Sequence, residues 1–149
     1  MDIKQQLYIA CKHYIEQRIA TIEKAIQSAR EASTDDTKSS AGDKFETTRE
    51  MMQQEIDRNS TQLTEALKLK QVLMAIKPDH NSTVIQPGSL AITNNGAFYI
   101  AISAGALTIN GTNYFAVSSA SPIGLCLMKL KKGDSFQFHG KAYSISDVY

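Results

Sequence analysis

The sequence predicts an α+β protein: an N-terminal antiparallel two-helix coiled-coil hairpin followed by a small antiparallel β-sheet domain with one short helix. Three observations carry that expectation. Residues 1–77 hold 24 of the 31 charged residues, twelve of each sign, with one glycine and no proline, the composition of long solvated helices. Residues 78–149 hold all three prolines, seven of eight glycines and eight of eleven aromatics, and 81–128 contain no Asp, Glu, Lys or Arg. The apolar period also changes there, from a helical repeat to alternation. The expected domains are therefore 1–77, the hairpin, with an acidic tip near 31–46, and 78–149, the β domain, with the boundary near 77–82.

In the first arm Ile15, Ile19, Ile22, Ile26 and Ala29 follow a 4-3-4-3 spacing, preceded by Ile3, Leu7, Tyr8 and Cys11, which makes one seam down a helix. The stripe stops at Ala32. Residues 33–42 string together turn formers with no hydrophobic period, which predicts a reversal of the chain. A second stripe runs Phe45, Met52, Ile56, Leu63, Ala66, Leu67, Leu73 and Ile76, with polar Asn59 in the seam, and ends at Lys77-Pro78, as a helix ends before proline. About thirty residues per arm give a rod of roughly 45 to 50 Å at 1.5 Å per residue.

Strands are expected over 89–93, 98–103, 107–109, 113–117, 136–138 and 143–145, where apolar and polar residues alternate between turn signals. Asn94-Asn95-Gly96 and Asn110-Gly111 are hairpin turns by composition, and Gly133-Asp134 and His139-Gly140 punctuate the end. Ser121 and Pro122 supply an N-cap and an N1 proline for a short apolar helix through Met128.

Much chemistry is excluded. The net charge of +1 gives no blanket drive toward nucleic acid or an anionic membrane. No apolar run approaches the roughly 18 residues of a spanning helix, so a cytoplasmic protein without a membrane partner is expected; a monomer is expected as well, although the sequence leaves the oligomeric state open. Cys11 and Cys126 lie far apart with no CxxC, against a disulfide framework or zinc site. There is no phosphate-binding glycine loop, HExxH or nucleophile elbow. His13, His80 and His139 have no ligand or triad spacing, and Ser118, Ser119 and Ser121 have no base beside them. A self-contained enzyme is not expected.

One polar cluster has functional chemistry. Glu31, Asp35, Asp36, Asp43, Glu46 and Glu50 gather around the reversal, and Asp43 and Glu46, three positions apart at a helix start, place their Cβ atoms about 5 to 6 Å apart, close enough to address one cation. The same letters also make capping boxes, Asp43-x-x-Glu46 and Ser40-x-x-Asp43. Local sequence favours capping, because nearly every helix start needs it.

Three strings bear a further resemblance. Ile22-Glu23-Lys24-Ala25-Ile26-Gln27-Ser28-Ala29-Arg30-Glu31 is similar to the first-arm motif Ile-x-x-Ala-Ile-x-x-Ala-Arg-Glu of the Gre family of bacterial transcript cleavage factors. Gly42-Asp43-Lys44-Phe45-Glu46 is similar to that family's tip motif Gly-Asp-x-x-Glu. Ser121-Pro122-Ile123-Gly124, with Leu127, Lys129 and Gly133-Asp134 after it, resembles the Ser-Pro run of the family's C-terminal domain. Together they span most of the chain in the family's order.

The resemblance implies a coiled-coil domain that enters the secondary channel of bacterial RNA polymerase and an FKBP-like C-terminal domain that docks on the channel rim. It implies that Asp43 and Glu46 assist the polymerase active site by helping to hold a shared Mg2+, so that backtracked RNA is cleaved at the nascent 3′ end, and that Ser121 and Pro122 contact the partner. No Mg2+ is expected to be held without the polymerase, since two carboxylates are only part of its shell. The sequence departs from the family pattern at the tip, where ten residues, 32–41, replace about one, and Thr47-Thr48-Arg49 follows Glu46 in place of Asn-Ala-Glu-aromatic. That insertion motivates a second reading, a channel-binding modulator without cleavage activity. A third is a prolyl isomerase of FKBP-like fold, although tryptophan is absent and no aromatic pocket is readable.

Overall fold

The computed structural model describes the backbone of residues 2–39 and 43–149 and the side chains of 2–33 and 46–149. Two long packed helices precede a six-stranded mixed sheet and a short helix, an α+β layout. The chain divides into two compact units, one formed by Ile15–Leu69 and the other by Met1–Tyr14 with Lys70–Tyr149. The composition boundary near 77–82 thus falls inside the second unit. Among the described residues no helix is long and apolar enough to cross a membrane.

The unit 15–69 contains most of α1 (Ile3–Ser39) and of α2 (Asp43–Met74). Only three residues separate the two helices, so as packed neighbours they run antiparallel. Ile15, Ile19, Ile22, Ile26 and Ala29 are all buried, and Ala66 faces them from the second arm, as the seam spacing requires. Asn59 stays half-buried by donating its Nδ2 to the Glu55 carbonyl of its own helix at 2.9 Å. On the outer faces Gln27 donates to Glu31 at 3.0 Å and Gln53 to Asp57 at 2.9 Å, both four-residue pairs of the kind that support exposed helix.

Two details of the expected hairpin are corrected. The first helix runs on to Ser39, so 33–39 is helix rather than turn. Serine, threonine and aspartate disfavour helix by only a few tenths of a kcal/mol each, and no glycine precedes Gly42 and no proline precedes Pro78, so an established ladder propagates through them. Leu67 is off the seam at 45% exposed, and the adjacent Ala66 occupies the buried position.

The second unit holds β1 (Leu90–Thr93), β2 (Gly96–Ala101), β3 (Gly105–Ile109), β4 (Thr112–Ser118), α3 (Pro122–Leu127), β5 (Ser135–Phe138) and β6 (Lys141–Val148). Their order is β3-β4-β2-β1-β6-β5. The antiparallel expectation fails at one pair: β2 and β4 are parallel, with Phe98 beside Phe115 and Ile100 beside Val117. After β2 the chain skips one place and forms edge strand β3; β4 then fills the gap. The short crossover 102–104 spans two strand spacings, about 10 Å, which three extended residues can reach. The turns fall where composition put them, with Asn110 and Gly111 both at positive φ, as are His139 and Gly140.

One sheet face carries Ala91, Phe98, Ile100, Tyr143 and Ile145, which pack with Ile85 and Leu127 of α3 into a core. Phe136 stacks on Tyr143 with ring centroids 4.9 Å apart. The register puts Leu90, Tyr99 and Ala116 on the opposite face. Tyr99 there is fully buried, near Cys11 and Tyr8 of α1 and near Asp2 just before it. With both faces covered, β2 is buried over five of its six residues, which accounts physically for the uncharged run.

Candidate functional site

Asp43 is the first residue of α2, so its backbone stands at the helix start that the sequence assigned it. Its side chain lies outside the described residues, and so do those of Asp35 and Asp36. Glu46, one turn further on, is described and exposed. It sits where a carboxylate gains from the positive end of the helix dipole and where an incoming partner meets it without first displacing protein. Its oxygens suit a hard cation such as Mg2+, which prefers oxygen ligands and keeps several waters. Among the described residues no three His, Cys, Asp or Glu side chains converge to hold a metal ion. The other expected contact residues, Ser121 and Pro122, belong to the other unit.

Ser121 and Pro122 are first of all architectural. The Ser121 hydroxyl donates to the Ser118 carbonyl at 2.7 Å and accepts the Gly124 N–H at 3.1 Å, which closes the first turn of α3. Pro122 occupies N1, where its missing N–H costs nothing. Gly124 is buried against the Ser118 carbonyl. Each residue of Ser-Pro-Ile-Gly therefore has a local reason to be there, and Pro122 is exposed beside it.

The residue that sequence reasoning missed is Leu125. It is 68% exposed, whereas Leu127 on the same helix is fully buried. Two positions on a helix are some 200° apart, so a leucine between Ile123 and Leu127 must point away from the core that both of them join. That signal was present in the spacing. Leu125 and Pro122 thus give α3 an outer apolar edge.

Lys129, Lys131 and Lys132, three lysines beside the Gly133 turn, are exposed and form a solvated face. Lys131 pairs with Asp134 at 3.8 Å and Lys132 with Asp147 at 3.4 Å, while the Asp134 carboxylate also accepts the Lys131 backbone N–H at 3.0 Å. Charges already matched by carboxylates are poor phosphate contacts. His13 and His139 are exposed, and His139 rests edge-on against Phe138 at 4.1 Å.

No protein-family model matches this chain, and no curated protein matches it.

Proposed function

We propose that this chain is a Gre-like transcription elongation factor, a non-enzymatic partner that inserts its helical hairpin into the secondary channel of bacterial RNA polymerase and promotes cleavage of backtracked RNA. The observation that carries the reading is the position of the tip acids: Asp43 opens α2 and Glu46 lies exposed in its first turn, with three residues between α2 and the end of its packed partner helix. A slender helix pair delivers charge into a channel too narrow for a globular surface. Asp43 and Glu46 would hold the shared Mg2+ jointly with the polymerase carboxylates, and the ion supplies, when bound, an acidified water. The β domain, FKBP-like by resemblance, would dock on the channel rim through Pro122 and Leu125.

A second reading is favoured by one specific feature. Because α1 continues to Ser39, Glu31 lies eight residues, about 12 Å, short of the helix end, and the family's adjacency of Arg-Glu with Gly-Asp is lost. A tip lengthened in this way suits a channel occupant that modulates the enzyme without assisting hydrolysis. Both readings require binding, which is tested by co-purification with RNA polymerase and by competition against a known secondary-channel factor. Absence of competition contradicts both.

A further inference from the structure

The β-containing unit has an open cavity of about 520 Å³ between the start of α1 and the sheet face opposite the main core. Its apolar lining is Ile3, Leu90 and Ile92 with the aromatic Tyr114 and Tyr149. Its polar lining is Lys4, Asp2, Asn81 and Asp147. Volume and composition fall within the range of sites for small organic molecules, which are mainly apolar with a few convergent polar groups.

Each polar group can be accounted for except one. The Asp147 carboxylate faces Lys132 at 3.4 Å. Asp2 caps α1, its Oδ1 accepting the Gln5 N–H at 2.8 Å. Lys4 is only 5% exposed, and its ammonium donates to the His80 carbonyl and to Asn81 Oδ1, two neutral acceptors for three N–H donors. No carboxylate among the described residues forms an ion pair with it. Buried charges are ordinarily paired, because desolvation without a counter-ion is costly. Burial holds the Lys4 pKa below its ordinary value, and the more distant Asp2 and Asp79 oppose that shift without cancelling it.

We propose that this cavity is a binding site for a small organic carboxylate with an apolar or aromatic body, its carboxylate paired with the Lys4 ammonium and its body on Leu90, Ile92 and the tyrosines. The site stands independently of the polymerase reading.

The test uses the full chain and 4-phenylbutyrate as probe, followed by NMR, with 4-phenylbutanol as the same body without charge and acetate as the charge without the body. For twelve heavy atoms a Kd on the order of 1 mM is expected. The acid should give saturable shifts at Leu90, Ile92, Tyr114 and Tyr149, with the alcohol and acetate each at least tenfold weaker and Lys4→Met weakening the acid at least tenfold. The acid–alcohol comparison needs no variant, so it decides the matter even if Lys4→Met does not fold. Absence of saturable shifts at the cavity, or equal binding of acid and alcohol by the wild type, overturns the proposal.

Discussion

A Cβ atom on Gly124 would stand 1.9 Å from the Ser118 carbonyl oxygen. No rotamer change relieves this, since both partners are backbone, and the same oxygen is held by the Ser121 hydroxyl. Gly124→Ala must therefore displace α3 from the β4 end. It is expected to cost about 3 kcal/mol or more, read as a lowered urea midpoint. A loss below 1 kcal/mol would mean that the turn relaxes freely.

Ser121 and Leu125 separate stability from recognition. Ser121→Ala removes the cap and leaves the Gly124 N–H without its acceptor, while the Ser118 carbonyl keeps the Ser121 backbone N–H at 3.2 Å, so a loss of about 1 kcal/mol is expected. Leu125→Lys touches no core and should change stability by less than about 0.5 kcal/mol, yet weaken polymerase binding at least tenfold if α3 docks on the rim. Thermal melts and a binding titration on the two variants check this. Unchanged affinity for Leu125→Lys would place docking elsewhere.

Alkaline pH should destabilise the unit that contains Cys11. Burial pushes its thiol from 9.0 up to about 12, opposed by a hydrogen bond with the Ile102 backbone. A folded-state pKa above the unfolded one gives stability that is fully present below about pH 9 and is lost as pH climbs toward 12, with a slope reaching about 1.4 kcal/mol per pH unit. Tyr99, buried and raised for the same desolvation reason, adds to the loss at the upper end. Urea denaturation from pH 8 to 11 should show a shallower decline for Cys11→Ala than for wild type, and parallel declines would contradict the assignment.

Most of the fold could be read from periodicity. The isoleucine seam of α1, the Asn110-Gly111 turn and the Ser121–Pro122 helix start are each set by neighbours within a few residues, where spacing and turn chemistry decide. The failures involve non-local or cooperative effects. That β4 slips between β2 and β3 depends on which strand pairs across the sheet, and nothing within β3 encodes it. The helical state of 33–39 comes from the helix preceding it rather than from its own propensities. For the candidate site, the helix-start position of Asp43 and Glu46 was legible because caps and acids share letters, whereas the Lys4 cavity was not, since His80 and Asn81 lie more than seventy residues from Lys4. Leu125 could have been found by asking which leucine of a short helix cannot face inward.

The most direct measurement is the rate of transcript cleavage by purified, backtracked RNA polymerase elongation complexes in Mg2+, with wild-type protein and with the Asp43→Ala, Glu46→Ala double variant. Stimulation by wild type is expected, falling at least a hundredfold in the double variant while polymerase affinity and melting temperature hold, as loss of groups that act only at the reaction centre requires. Equal stimulation by both proteins, or none by a wild-type protein that binds the polymerase, would contradict a catalytic role for the tip carboxylates.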